Sequence, residues 1–160
     1  MMVTFTNHSI RMFVPILLGS DSDTPHAEKI AAVLKEFGIP YEIRVLSAHK
    51  VPELLIKYIE EKNKDNGVVY VTIAGRSNGL SGVTAGSSIH PVIACPPFAD
   101  KDDYMVNINS TLQMPSDTPV LTVLDPVNCA LTIARIFGLS DEKIRAQVST
   151  RIARVKSKFA

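Results

Sequence analysis

Short apolar runs alternate along this chain with stretches whose apolar residues recur every three or four positions. Val14–Leu18 is the first run, and it ends at Gly19-Ser20-Asp21-Ser22-Asp23. Ala27, Ile30, Ala31, Leu34 and Phe37 then share one helical face. Thr24-Pro25 opens that helix, with Thr24 or Asp23 as its cap, and Gly38 stops it. Tyr41–Leu46 reads as a second strand, followed by Ser47-Ala48-His49-Lys50 and a helix through Leu54, Leu55, Tyr58 and Ile59. Val68–Ala74 has the β-branched content of a buried strand. The glycine-rich stretch 75–82 reads as a flexible loop. Pro91–Cys95 and Val120–Leu124 read as strands four and five. Tyr104–Gln113 and Pro126–Phe137 read as helices, and a last helix spans about Asp141–Lys158.

Strand–helix alternation implies a parallel sheet covered on both faces, an α/β three-layer sandwich. The expected sheet is flavodoxin-like, five-stranded, in the order 2-1-3-4-5, with an extra C-terminal helix. Ile144, Val148, Ile152 and Val155 give that helix only a narrow apolar stripe. Such a stripe fits either its own domain or a neighbouring subunit. Residues 12–160 are expected to form a single domain, with residues 1–11 a loose extension.

Composition narrows the function. The 160 residues are 46% apolar and 21% charged, with a formal net charge of +1. Nucleic-acid and membrane surfaces usually carry a basic excess, so neither is the expected partner. The two cysteines, Cys95 and Cys129, lie in apolar stretches and read as buried free thiols of a reducing, cytoplasmic compartment. His8, His26, His49 and His90 lack metal-ligand spacing with acids or thiols. No dinucleotide fingerprint, phosphate-loop motif or nucleophile elbow occurs. A phosphoacceptor signalling domain would want an aspartate ending strand three and a lysine ending strand five; Ala74-Gly75 and Leu124-Asp125 stand there instead.

In a doubly wound sheet the carboxyl ends of the strands carry the ligand. Three polar segments are expected at those ends. Ser20, Ser22 and Asp23 combine anion donors with an acceptor for sugar hydroxyls. His49 can exchange a proton near neutral pH, and Lys50 beside it is a compact cation for phosphate. Gly75 and Gly79 permit close backbone approach, and Arg76 and Ser77 supply donors.

Together these loops resemble those of the AIR carboxylase family of purine biosynthesis, AIR being 5-aminoimidazole ribonucleotide. The matching segments are Gly19-Ser20-Asp21-Ser22-Asp23, Ser47-Ala48-His49-Lys50, Ala74-Gly75-Arg76-Ser77-Asn78 and Leu112-Gln113-Met114-Pro115. Class I members, mutases acting on N5-carboxyaminoimidazole ribonucleotide, carry arginine after the histidine and a histidine in the third loop. Lys50, the histidine-free third loop and Cys95-Pro96-Pro97 look like class II instead. The resemblance implies carboxylation of AIR by CO2 to 4-carboxy-5-aminoimidazole ribonucleotide (CAIR), without metal or organic cofactor. It assigns Ser20, Ser22, Ser47 and Lys50 to the phosphate and ribose end, and Asp23 to a ribose hydroxyl. It makes His49 the general acid/base and puts Gly75, Arg76 and Ser77 around the imidazole and CO2. It also implies a homo-oligomer, octameric or tetrameric. The rival readings are a class I mutase and a non-catalytic nucleotide- or flavin-binding module.

Overall fold

A computed structural model describes residues 11–159. The expected extension over residues 1–11 therefore lies, but for Arg11, outside the described residues. The elements are β1 (Val14–Leu18), a 3-10 turn (Asp21–Asp23), α1 (Thr24–Glu36), β2 (Tyr41–Val45), α2 (Pro52–Lys62) and β3 (Tyr70–Ile73). They continue as α3 (Gly79–Ser87), β4 (Val92–Ala94), α4 (Lys101–Leu112), β5 (Leu121–Thr122), α5 (Pro126–Phe137) and α6 (Glu142–Lys156). All strand pairs are parallel, in the order β2-β1-β3-β4-β5.

Both faces of the sheet are covered, and the strands show it by alternation. Val14, Ile16 and Leu18 of β1 point into a core completed by α1, α5 and Ile144 of α6. Leu17 points the other way, into a core shared with Leu55 and Ile59 of α2 and Leu80 of α3. Both faces are covered, which is why β1 and β3 are buried at every position rather than at every second one.

The glycine-rich stretch 75–82 is not a loop throughout. Its second half is the first turn of α3. Glycines weaken a helix in isolation, but tertiary contacts override propensity here. The Asn78 side chain caps the helix by accepting from Ser81 N (3.1 Å), while Leu80, Ser81, Thr84 and Ala85 are buried. The Ser81 hydroxyl bonds the Thr72 hydroxyl of β3 at 2.7 Å, tying helix to sheet. β5 is shorter than expected, yet Val123 N still donates to Ala94 O (3.0 Å), so the ladder runs on past its last strand residue.

The C-terminal helix divides its stripe. Ile144 is buried and Val148 packs against the core, whereas Ile152 and Val155 remain 40% and 48% exposed. The first half of the stripe serves its own chain, and its second half is left uncovered.

Candidate active site

β1 and β3 are neighbours, but the chain leaves them toward opposite sides of the sheet. The crevice this opens at their carboxyl ends is the usual ligand position of such folds. A cavity of about 430 Å³ lies there. Its walls include Ser20, Ser22 and Asp23 after β1, Ser47, His49 and Lys50 after β2, and Gly75, Arg76 and Ser77 after β3. All nine residues singled out from the sequence thus share one cavity. The fourth matching segment does not reach it; Met114 instead packs its sulfur 3.4 Å from where a Cβ on Gly82 would stand.

The first wall is a 3-10 turn rather than a direct strand-to-helix junction. The Ser20 hydroxyl accepts from Ser22 N (3.4 Å) and from the Ser22 hydroxyl (3.0 Å). Both contacts use Ser20 as acceptor, leaving its own O–H to donate into the cavity. Asp23 is half-buried, and its carboxyl is raised above the ordinary value chiefly by desolvation. Donation from the Ser20 backbone and the nearby His26 oppose that rise, and Asp103 adds to it.

The second wall carries the imidazole. Residues 47–51 turn back on themselves, with Val51 N donating to Ser47 O (3.0 Å), and this lifts His49 and Lys50 onto the rim. The His49 ring lies against the start of α3: a Cβ built on Gly79 would stand 2.7 Å from Nε2 and 3.0 Å from Cε1. Gly79 therefore matters for the space it leaves rather than for backbone freedom.

The third wall is built with strain. Arg76 has φ 57°, the left-handed region that non-glycine residues enter at a cost of about 1–3 kcal/mol. Its N–H donates to Asn107 Oδ1 (2.6 Å). A Cβ on Gly75 would fall 2.9 Å from Asn107 Nδ2, so this glycine admits the buried amide.

Sequence reasoning missed Leu80, Pro97, Asp103 and Asn107, which also line the cavity. The last two come from α4, an amphiphilic helix with no glycine or histidine to flag it. The signal available was Pro96-Pro97, which halts β4 and steers the chain back over the strand ends.

Behind Asp23 lies a small sulfur–imidazole cluster. His26 Nε2 is 3.4 Å from Cys95 Sγ. Cys95 and Cys129 are buried free thiols. The neighbouring Cys129 thiol, with His26 assisting, lowers the Cys95 thiol against the cost of burial. Cys129 is pushed up. Among the described residues no three His, Cys, Asp or Glu side chains group as a metal site.

The AIR carboxylase family pattern matches residues 13–158. The chain belongs to the AIR carboxylase family. It is 47% identical to the phosphoribosylaminoimidazole carboxylase of Treponema denticola over 146 residues, covering 88% of this chain and 89% of that one. It is 45% identical to the Archaeoglobus fulgidus phosphoribosylaminoimidazole carboxylase over 133 residues, 83% of this chain and 73% of the relative. The human bifunctional phosphoribosylaminoimidazole carboxylase/succinocarboxamide synthetase is 43% identical over 141 residues, and there the match spans only 33% of the longer protein. The crystal structure of Treponema denticola PurE superposes with a TM-score of 0.87 at 45% identity, covering 93% of this chain and 94% of that one. The five-stranded order is thus that of an AIR carboxylase, and a flavin- or nucleotide-binding module without catalysis has no support left.

Proposed function

We propose that this AIR carboxylase joins CO2 to C4 of AIR to give CAIR, with His49 moving the C4 proton. The observation that carries this is the meeting of an imidazole, a cation and hydroxyl donors in one cavity at the carboxyl edge of the sheet. Ser20, Ser22, Ser47 and Lys50 hold the phosphate and ribose end, and Asp23 accepts from a ribose hydroxyl. Anchorage there positions the ring, so remote binding energy serves orientation.

The ring amine makes C4 enamine-like and nucleophilic. C4 attacks CO2, one C–C bond forms, and the displaced C=O electron pair becomes a carboxylate. C4 is then tetrahedral and still holds its hydrogen. Neutral His49 takes that proton, the C–H pair restores the aromatic ring, and the imidazolium later yields the proton to solvent. General base catalysis of this kind typically contributes about 10²–10⁴-fold. The N–H groups of Gly75 and Ser77 and the Ser77 hydroxyl stabilise the new carboxylate, as an oxyanion site does, the Arg76 N–H being held by Asn107.

The direct test supplies AIR with bicarbonate and follows the ultraviolet band of CAIR. A product band with that pair supports the class II reaction. Turnover of N5-carboxyaminoimidazole ribonucleotide without free CO2, and none of AIR with bicarbonate, replaces it with the class I mutase. The same reading extends to a homo-oligomer, octamer or tetramer, working in the cytoplasm. The free buried thiols support that compartment, and no described helix is long and apolar enough to cross a membrane.

A further inference from the structure

α4 brings one ionisable side chain, Asp103, to the cavity, and it also makes a concentrated set of polar contacts with the strained third wall. Asn107 is buried, and its amide is used at both ends. Oδ1 accepts from Arg76 N (2.6 Å), and Nδ2 donates to Pro97 O (2.6 Å). One turn on, the Ser110 hydroxyl accepts from Asn78 N at 2.7 Å. Beside it Thr111 Oγ1 accepts from Asn78 Nδ2 (2.9 Å) and donates to Asn107 O (2.7 Å). Residues 107, 110 and 111 are spaced i, i+3, i+4, so they form one face of α4. That face bonds the segment 76–78 at each end of Ser77. Asn78 in turn caps α3, whose first residue seats His49.

We propose that Asn107, Ser110 and Thr111 are positioning residues: the polar face of α4 holds Arg76 in its left-handed turn and so aims the backbone and Ser77 at the reacting carboxylate. The proposal rests on the functional reading of segment 75–77 given above. Its physical content is specific. A left-handed non-glycine residue persists only where its surroundings over-determine it. Here the over-determining bonds are the Asn107 contact before Ser77 and the Ser110 and Thr111 contacts after it. Both observed bonds of the Asn107 amide go to the protein backbone, with one N–H and one oxygen lone pair remaining, so its loss should act more on the chemical step than on affinity.

Three measurements on the full chain test this. Asn107→Ala removes the acceptor of the Arg76 amide, whose hydrogen exchange should quicken by about tenfold or more. With AIR and bicarbonate the same variant should lose about tenfold to a hundredfold in kcat, with KM for AIR within about threefold of wild type. Glycine at 76 relieves the strain that the clamp opposes. Arg76→Gly and Arg76→Ala should therefore have equal kcat in the intact chain, while in the Asn107→Ala background the glycine variant should be faster by about fivefold or more. An unchanged kcat, a raised KM at unchanged kcat, or glycine and alanine equal in both backgrounds overturns the clamp. If Asn107→Ala does not fold, Ser110→Ala decides by the same kcat and KM split, since Ser110 is only half-buried. If the wild-type chain makes no CAIR, the functional reading falls instead, and amide exchange at Arg76 alone decides the clamp.

Discussion

The exposed His49 ring rests on a residue without a side chain, and among the described residues no acid holds it by a hydrogen bond. His49→Asn keeps a polar group of similar reach but removes the exchangeable base. It should leave the dissociation constant of AIR within a few fold by calorimetry, while kcat drops by at least about 10². Near-wild-type turnover in that variant removes His49 from the mechanism. Asp23 offers a second test at this scale. Desolvation raises its folded pKa above the unfolded value, so the folded state binds the proton more tightly. By linkage, Asp23 then subtracts stability as pH climbs through the carboxylate range, and subtracts nothing below it. Asp23→Asn should raise the melting temperature at neutral pH and lose that advantage in acid, where both side chains are neutral. It should also weaken AIR binding. A wild-type chain that melts higher than the variant at pH 7 contradicts the burial account.

Among the elements, α3 shows most clearly where residue patterns succeed and where they stop. Its first residues, Gly79-Leu80-Ser81-Gly82, carry the composition of a loop. They are helical because Leu80 and Ser81 are buried against β3 and Asn78 caps the turn. The Asn78 cap is local, but the burial of Leu80 and Ser81 is tertiary, and local propensity does not contain it. By contrast α5 runs over Pro126–Phe137, as its proline start and apolar periodicity predict. Gly79 separates stability from function in α3. Alanine there favours helix by up to about 1 kcal/mol, and Gly79 has no left-handed backbone to oppose it. Its Cβ, however, would displace the tip of His49, a movable side chain. Gly79→Ala should therefore melt no lower than wild type while kcat falls about tenfold or more. Loss of melting temperature together with activity would mean the glycine serves the helix and not the imidazole.

For the whole molecule, the site follows from sheet order more than from any one motif. Segments 20–23, 47–50 and 75–77 are distant in sequence, and only the β2-β1-β3 adjacency brings them to one edge. Parallel order was readable from strand–helix alternation, so the meeting of these loops was readable too. The α4 wall was not, because its polar side chains answer to partners that no periodicity specifies. The same limit governs α6. Ile144, Val148, Ile152 and Val155 repeat evenly, and periodicity tells which face is apolar but not what covers it. Ile152 and Val155 line a groove of about 340 Å³ with Leu131 and Val148, bordered by Arg135 and Arg151. The Arg151 guanidinium is already committed to Glu36 (2.6 Å), and Lys156 also lines the groove beside its apolar floor. A homo-oligomer that buries this floor gains about 25 cal/mol per Å² of apolar surface. A positive charge placed in it would have to be desolvated beside Arg135, Arg151 and Lys156, with no opposite charge in the groove lining. Ile152→Lys should accordingly lower the particle mass by light scattering while leaving the far-ultraviolet circular dichroism of the chain intact. An unchanged mass would show that the subunits meet through another surface and that the outer half of α6 faces water.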